Sequence, residues 1–292
     1  RDLRAACAGG ARSAGRGCEM IRRRFLTVAA AALALPGVVQ AETVWEGRAF
    51  GADCRIARTG PAAKAEPVLR ALPRLVAQID SMFSLHDPGS ILSRLNAAGL
   101  GRNLPSSFME LLRVSDVLHR ETDGAFDPTV QTVWEALSAG KQIAADVVGW
   151  QRVEIAGTVR LGPGQRLTLN GIAQGYAADA VRSLVKNHGF TEAIIDLGEI
   201  AVLGGPWTFG IADPIAEMIG QKRLTGSALS VSSPAATLLR GHPHIIHPAG
   251  KAAIWSTVAV EAETATLADG LSTAFVFLTR DRIHEVRRAF PG

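Results

Sequence analysis

The sequence predicts an α+β fold in which helices pack on mixed or antiparallel sheets, and two observations lead there. Apolar residues recur at helical spacing in some segments, while other segments are short β-branched runs bounded by Gly and Pro. The two kinds do not alternate as regular βαβ units, which argues against a doubly wound parallel sheet. Composition agrees: 292 residues that are 47% hydrophobic and 20% charged can build a core, and this is not the balance of a disordered polymer.

The elements follow in chain order. Residues 1–19 are rich in Arg, Ala and Gly without an apolar period, and read as translated upstream sequence with the start at Met20. Residues 20–41 read as a twin-arginine signal peptide: a basic stretch with Arg22-Arg23-Arg24-Phe25-Leu26, an apolar run from Thr27 to about Leu35, and small residues up to Ala41. An amphipathic N-terminal helix is the alternative, but the run has no polar face. Export to the periplasm is the expectation, with residues 42–292 as one domain. No Cys directly follows the cleavage site, so no lipid anchor is expected; Cys7 and Cys18 leave with the leader, and Cys54 alone cannot form an internal disulfide.

Within that domain, residues 42–58 hold short β-prone pieces around Gly51, and Val68, Leu69, Leu72, Leu75, Val76, Ile79 and Phe83 mark a helix over 64–83. A turn at His86–Ser90 precedes Leu92 and Leu95, and a second helix is expected from about Pro105 to Arg120, closed by Asp123-Gly124. Leu167-Thr168-Leu169 reads as strand-like; the next helix opens at Gly171–Gly175 and stops at Asn187-His188-Gly189. Strands are expected over 193–203, 207–211, 228–232 and 256–260, with a closing helix over 264–278.

Charge limits the partners. The formal +4 is +5 in residues 1–41 and −1 in the remainder, so the domain itself has no polyanion track and nucleic acid is not expected as a partner. Neither a P-loop, a Gly-x-Gly-x-x-Gly turn nor a Cys/His metal cluster is present in the sequence. Asp269 and Thr273 stand four apart, on one helical face, where a carboxylate and a hydroxyl can share a hard cation such as Mg²⁺. Thr266-x-x-Asp269 also fits a capping box. His242, His244 and His247 offer a general base or metal ligands, or surface histidines. Asp127-Pro128 suits either ligand binding or a helix N-cap with Pro following.

Taken in order, five segments resemble the ApbE family of FAD:protein FMN transferases. They are Ser90-Ile-Leu-Ser93-Arg94-Leu-Asn96, Gly124-Ala-Phe-Asp127-Pro-Thr129-Val, Leu169-Asn-Gly171-Ile-Ala173-Gln174-Gly175-Tyr176-Ala177, His244-Ile-Ile-His247-Pro and Ala268-Asp269-Gly-Leu-Ser-Thr273-Ala. The resemblance runs from about Trp45 to Leu278. It implies an ApbE-type flavin transferase fold that binds FAD and Mg²⁺, attaches FMN to a Thr or Ser of an acceptor flavoprotein, here a membrane-associated redox protein, and releases AMP. It further implies Mg²⁺ at Asp269, Thr273 and a main-chain oxygen of Gly171. The implied FAD contacts are Phe50, His86, Ala125, Phe126, Asp127, Thr168, Gln174, His244, Ile245 and Ile246. Three positions depart from the commoner pattern, which has Asp at Thr168, Lys at Gln174 and Asp at His247. The Leu-Asn-Gly-Ile-Ala-Gln-Gly form is similar to a branch that includes exported accessory proteins of nitrous oxide respiration.

The expected catalytic residues are Asp269, through the cation, and His244 as general base, with His247 as the fallback. If Ile245 and Ile246 lie in a strand, the two histidines face opposite sides and only one lines the pocket. An FAD pyrophosphatase yielding FMN and AMP and a non-catalytic periplasmic FAD carrier are the alternatives.

Overall fold

The computed structural model describes residues 42–49, 52–58, 65–141 and 145–290. The leader, the boundaries expected at residues 19 and 41, and Phe50 lie outside the described residues. In chain order the elements are β1 (Glu42–Ala49), β2 (Ala52–Arg58), α1 (Ala65–Phe83), α2 (Ile91–Ala98), β3 (Leu100–Gly101), α3 (Ser106–Glu121), a 3-10 turn (Pro128–Val130), α4 (Gln131–Ala139), β4 (Glu154–Ile155), β5 (Val159–Arg160) and α5 (Ala173–Asn187). There follow β6 (Ala193–Asp196), β7 (Ile200–Leu203), β8 (Trp207–Asp213), β9 (Glu217–Leu224), β10 (Ala228–Ser232), β11 (Leu238–Leu239), β12 (His242–Pro243), β13 (Val258–Ala262), α6 (Ala265–Phe275) and α7 (Arg280–Ala289).

The main sheet has six strands in the order β1-β2-β6-β7-β10-β13, and every neighbouring pair is antiparallel. The α+β expectation is therefore met. The sheet's alternation places Ile195, Ala201 and Ala228 on the helix side, packed with Val68, Leu72, Val181 and Leu271. Ile200, Val202 and Leu229 point the other way and form a smaller core with Trp207, Phe209 and Leu224 of the β8–β9 hairpin. Helix α6 lies against α5, β10 and β13, so its polar residues are carried into the interior.

Several expectations change in detail. The 193–203 strand is two strands, because Leu197-Gly198-Glu199 turns tightly: the Leu197 N–H donates to the Glu199 carbonyl at 3.1 Å, and Gly198 has φ of 95°. Leu167–Leu169 joins no sheet. Its alternation is real, with Leu167 and Leu169 buried, but a side chain takes the ladder's place: Asn96 donates to the Leu167 carbonyl at 2.8 Å and accepts from its N–H at 2.7 Å. The closing helix stops at Phe275, and α7 starts separately after an N-cap at Thr279, which accepts from Arg282 N–H. Ile245 and Ile246 follow the two-residue β12 without entering a strand, so the opposite-face argument for the histidines does not apply.

Candidate active site

The centre of the site is the crossing of α5 and α6, and it is built by each helix capping the other. Thr264 is the N-cap of α6, its hydroxyl accepting from Leu267 N–H at 3.2 Å. The remaining donors of that turn go to Asp179 of α5, whose carboxylate accepts from the Ala265 and Thr266 N–H groups at 2.9 and 2.8 Å and from the Thr266 hydroxyl at 2.6 Å. At the other end, α5 has no side-chain cap of its own. Asp269 of α6 serves instead: its Oδ2 accepts from Gly175 N–H, in the first turn of α5, at 3.0 Å. This disposes of the Thr266-x-x-Asp269 capping box, since Thr266 is spent on Asp179 and Asp269 caps a different helix.

The close approach depends on Gly175. A Cβ there would run into the Ala265 carbonyl and stand 2.8 Å from Thr266 N. Gly171, just ahead of α5, stands close to Thr273, though less tightly, since a Cβ would lie 3.0 Å from both Oγ1 and Cγ2 of that residue. Asp269 and Thr273 share α6 as their spacing predicts, and Gly171 stands opposite Thr273. The three residues expected to hold the cation are thus brought together.

Burial sets the electrostatics of this corner. Asp269 is 3% exposed, and loss of hydration pushes its pKa up to about 7 despite the Gly175 N–H bond, with the charge of Asp179 adding to the rise. Glu199, in the β6–β7 turn, is buried too, and desolvation together with the charge of Asp269 raises it well above the usual carboxylate range. Sequence reasoning missed Glu199; the only signal was a pair of acids, Asp196 and Glu199, in an otherwise apolar stretch. Among the described residues neither acid forms an ion pair with Lys, Arg or His. One carboxylate, one hydroxyl and a facing main chain, with surplus buried negative charge, are a donor set that fits a hard divalent cation.

A short ladder of hydroxyls runs from this corner into the main sheet. Ser272 of α6 bonds Ser230 and Ser232 of β10 at 2.8 and 2.7 Å and donates to the Asp269 carbonyl at 3.0 Å. Two residues beyond Ser232, the Pro234 carbonyl meets His244. The Nδ1 of His244 lies 3.0 and 3.2 Å from the carbonyls of Pro234 and Thr237, and both are acceptors, so Nδ1 carries the proton and Nε2 the lone pair. Burial lowers the pKa of His244, which keeps the ring neutral near pH 7.

His247 has the opposite tautomer. Its Nδ1 accepts from Ala249 N–H at 2.9 Å, so Nε2 bears the hydrogen in the neutral ring, which packs edge-on against Phe277 at 5.1 Å. It lines a cleft of about 390 Å³ together with His119, Asp127, Gly149 and Lys251. Asp127 reaches this cleft, but its carboxylate is engaged: it accepts from the Thr129 N–H and hydroxyl and from Trp150 N–H at 2.8, 2.5 and 3.2 Å. The N-cap reading of Asp127-Pro128 is therefore the structural one, with Asp127 capping the 3-10 turn. Ala125 and Phe126 are buried beside it. Thr168 joins the same group, its N–H donating to the Pro128 carbonyl at 2.8 Å. Gln174 stands in the first turn of α5 next to Gly175, Ile245 and Ile246 are half-buried between the two histidines, and His86 is exposed in the turn between α1 and α2.

The ApbE family profile matches residues 49–291. The chain belongs to the ApbE family. Over 73 residues it is 36% identical to the FAD:protein FMN transferase of Klebsiella pneumoniae (strain 342), a stretch covering 24% of this chain and 23% of that protein. The fold is shared more widely. The apo flavinyl transferase ApbE of Pseudomonas stutzeri superposes with a TM-score of 0.73 at 24% identity, over 87% of this chain and 90% of that one. The ApbE protein of Thermotoga maritima gives 0.75 at 24% identity, over 86% and 91%. The five ordered segments thus sit on an ApbE-type scaffold that unites residues far apart in the chain, such as Gly175 and Asp269, 94 positions apart.

Proposed function

We propose that this protein transfers the FMN half of FAD to a Ser or Thr hydroxyl of an acceptor flavoprotein, releasing AMP and depending on Mg²⁺. The observation that carries this reading is the α5–α6 crossing, where buried Asp269 and half-buried Thr273 meet the Gly171–Gly175 segment, together with a neutral His244 anchored on the Pro234 and Thr237 carbonyls. A polypeptide hydroxyl attacking the pyrophosphate needs a proton acceptor. His244 Nε2 fits that role, since the carbonyls of Pro234 and Thr237 fix the tautomer and would also stabilise the imidazolium formed when Nε2 takes the proton. The acceptor oxygen bonds to the FMN phosphorus, the bridging P–O bond breaks, and AMP leaves with the electron pair. Asp269, Thr273 and the Gly171 main chain would hold Mg²⁺, which when bound offsets phosphoryl charge. The cleft between Asp127 and His247 would take part of FAD, with His247 Nε2 as a hydrogen-bond donor. At that position the commoner family pattern has an acid, which would accept rather than donate.

Support also comes from the Klebsiella relative, whose name states FMN transfer from FAD to protein, although the matched stretch is only 23% of that protein. The test is incubation of the purified protein with FAD, Mg²⁺ and a candidate acceptor domain, followed by mass spectrometry. FMN covalently bound to a Ser or Thr of the acceptor, with AMP, is expected. Free FMN plus AMP means a hydrolase, and unchanged FAD means a carrier; either overturns the reading. A periplasmic location is proposed from the leader alone: Arg22→Lys with Arg23→Lys should hold the protein in the cytoplasm, and normal export of that double variant would remove the twin-arginine assignment.

A further inference from the structure

Glu199 is a buried acid that the transfer chemistry described above does not use. It ends the tight β6–β7 turn, is 8% exposed, and points one carboxylate oxygen at nothing: Oε2 is fully buried and has no hydrogen-bond partner among the described residues. The carboxylate is steadied by the Ser230 hydroxyl, which belongs to the same ladder that reaches Ser272 on α6. The pairing of Ile200 with Leu229 sets Glu199 beside Ser230, whose hydroxyl bonds Ser272 on α6, and Ser272 in turn donates to the Asp269 carbonyl; the negative charges of Asp269 and of Asp196 of β6 both act on Glu199. Two acids have therefore been placed together out of water, and neither has an ion-pair partner among the described residues. An orphaned carboxylate oxygen beside a second carboxylate is costly unless something positive comes between them.

We propose that Glu199 is a second carboxylate of the cation site, facing the ion across from Asp269 either directly or through one bound water. This rests on the cation site assigned above to Asp269, Thr273 and Gly171, and adds to it a ligand from the sheet side. The geometry gives it a distinct task. Asp269 and Thr273 both ride on α6 and so move together, whereas Glu199 is fixed to the β6–β7 turn, and an ion touching both ties the helix layer to the sheet. Mg²⁺ is commonly held by one or two carboxylates with the rest of its shell left to water and phosphate, and this pair leaves that room. The Ser230–Ser272 bond keeps the two supports in register.

The experiment uses the full protein freed of metal by chelation, and Mg²⁺ alone as the probe, titrated by calorimetry at pH 8 in the wild type, Glu199→Gln and Asp269→Asn. The rise in melting temperature at saturating Mg²⁺ is measured in parallel, so neither readout depends on turnover. Glu199→Gln is expected to weaken Mg²⁺ binding on the order of 10- to 100-fold and to shrink the thermal shift, with an apo melting temperature no lower than that of the wild type. Mg²⁺ affinity within twofold of the wild type in folded Glu199→Gln overturns the proposal. If Asp269→Asn alone loses Mg²⁺, Glu199 is no ligand but the cation site stands. If neither variant loses it, the cation site itself is misplaced. Should Glu199→Gln fail to fold, Glu199→Asp, which keeps the charge one methylene further back, is read on the same scale.

Discussion

Gly175→Ala sets two physical effects against each other at one atom. Gly175 lies in the first turn of α5, where replacing Gly with Ala favours the helix by up to about 1 kcal/mol on propensity alone. The structure reverses the sign. The added Cβ would meet the backbone of Ala265 and stand 2.8 Å from Thr266 N, and this backbone cannot swing aside because Thr264 and Asp179 fix the start of α6. The helices must part by the better part of an ångström. Overpacking of that kind costs about 1–3 kcal/mol, and the displaced Gly175 N–H also weakens its charge-assisted bond to Asp269, worth roughly 1.5–3 kcal/mol. After the propensity gain, a net loss of about 2–4 kcal/mol remains. For a domain of this size that is a fall in melting temperature of roughly 5–15 °C. Thermal unfolding followed by circular dichroism measures it, with Gly220→Ala as the control because nothing lies within 4 Å of its added Cβ. A Gly175→Ala protein as stable as the wild type would refute the close crossing, and with it the capping of α5 by Asp269.

Two further outcomes follow from the same site. His244→Asn keeps a donor for the Pro234 and Thr237 carbonyls but removes the Nε2 base, so turnover at saturating FAD and Mg²⁺ should fall about 10²-fold or more, while His247→Asn should do much less; the reverse order in steady-state assays would reassign the base. The metal-free protein should lose stability as the pH rises from about 4 to 7. The native state holds protons on Asp269, with pKa about 7, Asp196, with pKa about 6, and Glu199, with Asp179 nearby, whereas the unfolded chain has released them; native binding exceeds unfolded binding in that window and stability declines with pH. For Asp269 alone the rise from 3.8 to about 7 corresponds to roughly 4 kcal/mol. Denaturant midpoints in chelator at pH 5 and pH 8 test this, and equal midpoints would contradict it.

The parts of the fold that sequence makes legible are those whose burial has a period. Helix α1 buries Val68, Leu72, Ile79 and Phe83 on one stripe, and its limits fall within a residue of expectation. Strand β9 and helix α7 are harder to read: Met218 and Ile219 of β9 are exposed, and within α7 only Val286 is buried with Ile283 partly so, a stripe too thin to stand out among its charged residues. At the site, the Asp269–Thr273 spacing fixes a shared helical face, and that much can be read from one segment. What cannot be read is the partner across the gap. Asp179 as the acceptor for Ala265 and Thr266, and Asn96 in place of a strand for Leu167, are contacts over 86 and 71 residues that leave no local pattern. Glu199 escapes for a related reason, since its meaning comes from the charge of Asp269 and not from its neighbours in sequence. The opposed roles of His244 and His247 depend on which backbone group each Nδ1 meets, and a histidine's tautomer is not written in its spacing.

The exchange of carboxylates between α5 and α6 also bears on how the protein opens. Asp179 closes the first turn of one helix and Asp269 that of the other, so each helix start is complete only while the other is docked. Fraying of either end exposes donors on both. The amides of Gly175, Ala265 and Thr266 therefore belong to a single cooperative opening unit and should exchange with deuterium at one common free energy, although they are far apart in the chain. An ion gripping Asp269 would slow exchange at Ala265 and Thr266, two groups it never touches, because those amides are released only when the whole crossing comes apart.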